Sequence, residues 1–169
     1  MPPRCRCADR LIGRYCAEPL RQIMGNRPVW LFDPGWQAAL DSTGAQDMSR
    51  LKILFLSRPW YQLVPDQKHE VVVDGLGEFR GLDYLSAART ADGATVIAYL
   101  PTARPFTVDM TKIEGKSAKA WWFNPRTGKS DAAGEFPTTG KKQFSPPGEG
   151  DWVLVLDDAS RKAAVPGRS

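Results

Sequence analysis

The spacing of apolar residues between residues 45 and 57 is that of a helix. Apolar side chains recur there every three or four positions, which places them on one helix face, namely Met48, Leu51, Leu54 and Phe55. Ser42 or Thr43 is a candidate N-cap for this helix. Pro59 ends it, because proline lacks the backbone donor and clashes with the preceding turn.

From about residue 67 the pattern changes to short runs rich in β-branched and aromatic residues. Turn signals separate these runs, among them Ala91-Asp-Gly93 and Asn124-Pro-Arg-Thr-Gly128. The spacing predicts a mainly β fold, an antiparallel β-sandwich of about eight strands preceded by a short helical segment. The predicted strands cover residues 70–74, 85–90, 94–100, 106–110, 119–124, 134–136, 142–144 and 151–157.

These patterns divide the chain into four parts. We expect an irregular, Arg-rich segment over 1–34, a helical segment over 35–66, a sandwich over 67–158 and a frayed tail over 159–169. The first part closes with the apolar run Val29–Phe32 between two prolines, which predicts a short buried strand.

Composition and charge narrow the classes of partner. The 169 residues are 42% hydrophobic and 25% charged, as in globular proteins, and no apolar run approaches the roughly 20 residues of a membrane span. The net charge of +4 arises wholly within residues 1–30, since residues 31–169 hold 17 basic and 17 acidic groups. A nucleic-acid interface needs clustered basic residues on the folded domain. We therefore expect neither a nucleic acid nor a membrane as partner.

The cysteines are confined to the N-terminal segment. Cys5, Cys7 and Cys16, with no nearby histidine, are too few ligands for a closed zinc site. Arg10 and Arg14 interrupt any apolar stretch of a signal peptide, so this segment carries no export signal. The compartment and the role of these cysteines stay open.

A search for catalytic residues gives no constellation. His69 is the single histidine, and its charged neighbours indicate an exposed surface position. Acidic pairs such as Asp157-Asp158 lie at strand ends, where carboxylates are usually solvated, so they do not indicate a catalytic pair. A structural Ca²⁺ at these carboxylates has no support in the sequence beyond the two aspartates themselves. We expect no cofactor and no catalytic activity.

Two adjacent tryptophans give the best candidate for binding. Trp121 and Trp122 lie on one predicted strand, so one ring enters the core while the other lies on the outer face or under a neighbouring element. An exposed ring would be a platform for a sugar or a proline-rich peptide, whereas a covered ring would pack against the helix or another domain. With Arg126 in the following turn, the pair forms the candidate ligand-binding set. The aromatic residues around the helical segment are expected to wedge it against the sandwich: Trp30, Trp36, Trp60 and Tyr61.

Two strings in the last third of the chain carry a family resemblance. Residues 120–128 read AWWFNPRTG, and residues 144–158 read FSPPGEGDWVLVLDD. Both resemble the C-terminal β-sandwich of the apiosidase-like glycoside hydrolases, a module named as the collagen-binding domain of a collagenase. Residues 36–48, followed by Ser57-Arg-Pro-Trp60, are similar to the last helix of that family's catalytic barrel.

The resemblance implies an accessory module that includes a remnant of the barrel. In that family the barrel supplies the catalytic carboxylates from strands upstream, so none can be assigned to this sequence. Three hypotheses follow. The chain is a sandwich that braces a barrel and holds polysaccharide, a domain that binds collagen or another extracellular polymer, or a fragment of a glycosidase acting on plant pectic polysaccharide. The family is often exported.

Overall fold

Residues 25–79 and 81–168 are described by a computed structural model, which is mainly β with a helical segment in front. The helices are α1 (Arg27–Trp30), α2 (Trp36–Ala39) and α3 (Thr43–Leu56). The strands are β1 (Leu63–Pro65), β2 (Val72–Asp74), β3 (Ser86–Thr90), β4 (Thr95–Leu100), β5 (Phe106–Asp109), β6 (Ser117–Asn124), β7 (Lys129–Pro137), β8 (Lys141–Phe144) and β9 (Trp152–Asp158). Short 3₁₀ turns occupy Trp60–Gln62, Met110–Lys112 and Ala159–Arg161.

The strands form two antiparallel sheets, so the predicted fold class is confirmed. One sheet has six strands in the order β1-β3-β4-β9-β6-β7, and the other has three in the order β2-β5-β8. The described residues hold nine strands instead of eight because Leu63–Pro65, which is not among the eight predicted strands, pairs with β3.

The centre of the six-stranded sheet is buried on both faces. Alternate residues of β9 show this, since Leu154 and Leu156 enter the core between the two sheets while Val153 and Val155 pack on the opposite face against α3. The molecule therefore has three layers, with the helix on one side of the large sheet and the small sheet on the other.

Helix α3 packs on the sheet through the face that its sequence predicts. Leu51, Leu54 and Phe55 are buried against the large sheet, and Met48 packs beside them. Ser42 is the N-cap residue by position, although its side chain makes no capping hydrogen bond. Its hydroxyl instead accepts a hydrogen bond from the Asn26 side-chain amide at 3.4 Å.

Residues 29–32 do not form the buried strand that the sequence predicts. Helix α1 includes the start of this run, and Trp30 and Phe32 are exposed. Pro28 explains the helix, because proline is tolerated in the first turn, where its missing donor would lack a partner in any case.

The C-terminal tail is held against the fold, contrary to the frayed segment expected. The Arg58 guanidinium donates to the Ala164 carbonyl at 2.9 Å, and the Ser130 hydroxyl donates to the Pro166 carbonyl at 2.7 Å. Val165 also packs with the cluster under α3. A polar, proline-containing sequence does not reveal such contacts, because its partners lie far away in the chain.

Candidate functional site

Trp121 and Trp122 point to opposite faces of β6, as their adjacency predicts, and both rings are covered. Trp122 enters the core between the sheets, where its ring contacts Phe106 and Trp152 edge to face at centroid distances of 6.2 and 6.3 Å. Trp121 lies under α3 with Phe55 in the same cluster. Trp122 is 6% exposed and Trp121 is 8% exposed, so neither ring offers its face to a ligand.

Arg126 holds the loop that precedes β9. Its guanidinium pairs with the Asp151 carboxylate at 3.2 Å and donates to the Glu149 carbonyl at 3.0 Å. The same group lies over the Trp152 ring, 5.7 Å from its centroid. The structure therefore does not bring the three predicted site residues together around one surface.

Exposed apolar side chains concentrate on the helical part of the chain. The described residues include eleven exposed large hydrophobic side chains, of which nine lie between residues 30 and 64. We name these nine the helix-layer surface; they are Trp30, Leu31, Phe32, Leu40, Ile53, Leu56, Trp60, Tyr61 and Val64.

The prediction that four aromatic side chains pack between the helical segment and the sandwich is wrong for three of them. Trp30, Trp60 and Tyr61 are 63%, 42% and 72% exposed and do not lie between helix and sandwich. The reason is that Leu54 and Phe55 already cover the apolar face of the sheet. Exposed apolar side chains gathered in one segment of the chain make the helix-layer surface a candidate interaction site.

The other two exposed apolar side chains lie on the loop between β2 and β3. Phe79 and Leu82 are 69% and 87% exposed. The Phe79 ring meets Tyr84 edge to face at 5.6 Å, and Tyr84 meets His69 at 6.2 Å. The Tyr84 hydroxyl is 3.2 Å from His69 Nε2, so His69 is half-buried in a pair, not the simple surface residue that its neighbours in the sequence indicate.

We name Phe79, Leu82, Tyr84 and His69 the loop cluster. Burial raises the pKa of the Tyr84 hydroxyl, and the negative charge of Asp66 raises it further, so the hydroxyl keeps its proton at neutral pH. Sequence reasoning missed this cluster because nothing in the chain's pattern distinguishes an exposed Phe79 from a buried one.

The carboxylates of the sequence motifs have protein partners. Asp157 is bound by Arg58 and Thr95, and Asp158 accepts hydrogen bonds from Ser160. Across residues 25–79 and 81–168, no three His, Cys, Asp or Glu residues are grouped so as to hold a metal ion. Within the same residues, every helix is too short or too polar to cross a membrane. The three cysteines lie outside the described residues.

The architecture is that of a β-sandwich domain with a helical layer on its large sheet. Residues 64–157 match the family described as "Putative collagen-binding domain of a collagenase". This match covers more than half of the chain, and the chain belongs to that family. A comparison with curated proteins found no match.

Two solved structures are similar to most of the chain. One is titled "Glycoside hydrolase", with 34% identity and a TM-score of 0.65 over 74% of this chain. The other is a glycoside hydrolase family 5 protein from Bacteroides vulgatus ATCC 8482, with 30% identity and a TM-score of 0.67 over 76% of this chain. The chain spans 27% of the length of each. Family and neighbours together support a glycosidase-associated accessory domain.

Proposed function

We propose that the chain is a non-catalytic accessory module that braces a glycoside hydrolase barrel of the apiosidase-like kind through the helix-layer surface. The barrel would lie elsewhere in a longer polypeptide or on a separate one. The family is described as a collagen-binding domain, and the two similar structures are glycoside hydrolases. Both observations support a domain that accompanies a glycosidase.

The observation that carries the proposal is the position of the helix-layer surface. Nine of the eleven exposed large hydrophobic side chains in the described residues lie in residues 30–64, which reach the family region only at its first residue. Leu56 and Ile53 lie on the side of α3 that faces away from the sheet. A helix with apolar residues on both sides needs a second partner besides its own sheet.

The extent of the structural likeness supports the same partner. The match to the first glycoside hydrolase covers 74% of 169 residues, or about 125, whereas residues 64–169 number only 106. The likeness therefore extends into the residues before Val64. The helical layer is thus part of what this chain shares with glycoside hydrolases.

We expect the purified chain to bind a hydrophobic dye and to self-associate as its concentration rises. Replacing Leu56, Trp60 and Tyr61 together by Gln removes exposed apolar area and should abolish both effects without lowering the melting temperature. The matched control replaces Phe79 and Leu82 by Gln, which removes exposed apolar side chains outside this surface. Dye fluorescence and light scattering after size-exclusion chromatography measure the outcome.

The partner is tested with barrels of the two similar glycoside hydrolases, prepared without the quarter that this chain matches. We expect saturable binding to the wild-type chain and none to the triple variant. Binding of neither barrel, together with a monomeric chain that takes up no dye, would contradict the proposal. A stable dimer that ignores both barrels would assign the surface to a second copy of the chain.

A further inference from the structure

The loop that carries Phe79 and Leu82 is fixed to the sandwich by partly buried polar contacts. The Arg104 guanidinium donates to the carbonyls of Gly75, Leu76 and Asp83 at 2.8, 2.6 and 2.7 Å. It also pairs with the Asp83 carboxylate at 3.5 Å. These bonds hold the backbone at both ends of the loop, so its exposed side chains project from a fixed frame.

Glycine is required where the loop meets this arginine. Gly77 has a φ of +83°, and a Cβ there would overlap the Arg104 guanidinium. Leu76 packs against the core between the sheets, and its carbonyl accepts from the Leu85 backbone N–H at 2.8 Å. The loop therefore has its own core contact and its own tight backbone packing.

On this frame the loop cluster joins three rings through Tyr84, which contacts both of the others. The Tyr84 ring meets Phe79 and His69 edge to face, at centroid distances of 5.6 and 6.2 Å. His69 has a φ of +55°, a left-handed conformation that only a few per cent of residues other than glycine adopt. The mostly exposed side chain of Phe79 thus lies close to a hydroxyl and an imidazole.

This arrangement has the chemistry of a carbohydrate site. The C–H face of a pyranose ring packs on an aromatic ring, while sugar hydroxyls need partners that both donate and accept hydrogen bonds. The Tyr84 hydroxyl can donate and accept, and it lies 3.2 Å from His69 Nε2, so the imidazole nitrogens add polar partners beside it. A proline-rich peptide offers mainly carbonyl acceptors, so it would use the hydrogen-bond donors of this site but not its acceptors.

We propose that the loop cluster is a binding site for a pyranose ring of a polysaccharide, with Phe79 as the stacking platform and Tyr84 and His69 as hydroxyl partners. This inference rests on the proposed function, because an accessory module of a glycosidase meets polysaccharide. It assigns polymer binding to the β2–β3 loop and not to the tryptophans of β6.

The test is calorimetric titration of the full chain with soluble pectin, with a neutral plant glucan and with a triple-helical Pro-Pro-Gly peptide. We expect saturable binding of one polysaccharide. Phe79→Ala should weaken it at least about tenfold, which equals about 1.4 kcal/mol. Tyr84→Phe keeps the ring and removes the hydroxyl, so it should weaken binding by a smaller factor.

The matched control is Trp30→Ala, which removes an exposed aromatic ring from the helix-layer surface and should leave polysaccharide affinity unchanged. Circular dichroism checks that each variant is folded. The proposal is overturned if no polysaccharide binds, if Phe79→Ala binds as tightly as the wild type, or if the collagen-like peptide binds instead.

The experiments distinguish failure of the barrel-docking proposal from failure of the sugar-binding proposal. Barrel binding that is lost in the triple variant, with no polysaccharide bound by the wild type, would refute the sugar site and leave the bracing function intact. Polysaccharide binding that depends on Phe79, without barrel binding, would refute the bracing function and support the sugar site.

Discussion

At the scale of single residues, one buried ion pair joins the helical segment to the sandwich. Arg58 and Asp157, 99 positions apart, form two hydrogen bonds of 2.8 and 2.6 Å, and their side chains are 1% and 4% exposed. The Thr95 hydroxyl donates to the same carboxylate at 2.9 Å. The geometry is the planar, bidentate one that arginine forms with carboxylates.

Breaking this pair from one side should be costly. Arg58→Met leaves the Asp157 carboxylate buried without its counter-charge, and we expect the free energy of unfolding to fall by about 3–5 kcal/mol. Urea denaturation measures the loss. The double variant Arg58→Met, Asp157→Leu should recover much of it, because no charge is then left buried. A single variant as stable as the wild type would show that the pair contributes little.

The residue scale also shows where prediction from sequence stops. The positions of the tryptophans on opposite faces of β6 follow from strand geometry alone. That the outer ring is covered depends on where α3 lies, which no local pattern records. The Arg58–Asp157 pair joins residues 99 positions apart, and the loop cluster depends on the exposure of Phe79, so sequence reasoning found neither.

At the scale of elements, strand β6 connects both hydrophobic cores. It pairs with β9 on one side and β7 on the other, with a bulge where Ala120 faces Gly134 and Trp121 faces Ala132. Most strands were predictable because polar turns punctuate apolar runs. Strand β1 was not, because its pairing with β3 depends on residues elsewhere in the chain and leaves no local pattern.

Each tryptophan of β6 should contribute to stability through a different core. We expect Trp121→Ala and Trp122→Ala each to lower the free energy of unfolding by about 3–5 kcal/mol, since a large side chain is lost from a packed cluster. Trp30→Ala should change it by less than about 0.5 kcal/mol, because this ring is exposed. If a Trp121→Ala variant stayed stably folded but lost affinity for polysaccharide, Trp121 would be a binding residue after all.

At the scale of the whole molecule, the six-stranded sheet is shared by both cores. Residues of β4, β6 and β9 alternate between the core under the small sheet and the cluster under α3. Neither outer layer can therefore lose its packing without exposing one face of the same three strands.

This sharing predicts cooperative unfolding. Far-ultraviolet circular dichroism, which reports helix and strand together, and tryptophan fluorescence should give coincident urea transitions. The ratio of calorimetric to van't Hoff enthalpy should be close to one. Separate transitions, with helix signal lost first, would show that the helical layer is a detachable element.

The central place of the last strand has a consequence for biosynthesis. Strand β9 lies between β4 and β6, yet it is made after both of them. Until residue 158 has left the ribosome, β4 and β6 each present an open edge with apolar side chains on both faces, and such edges template aggregation. Nascent chains that stop before β9 should therefore depend on chaperones, and premature termination between β6 and the end of β9 should give insoluble product.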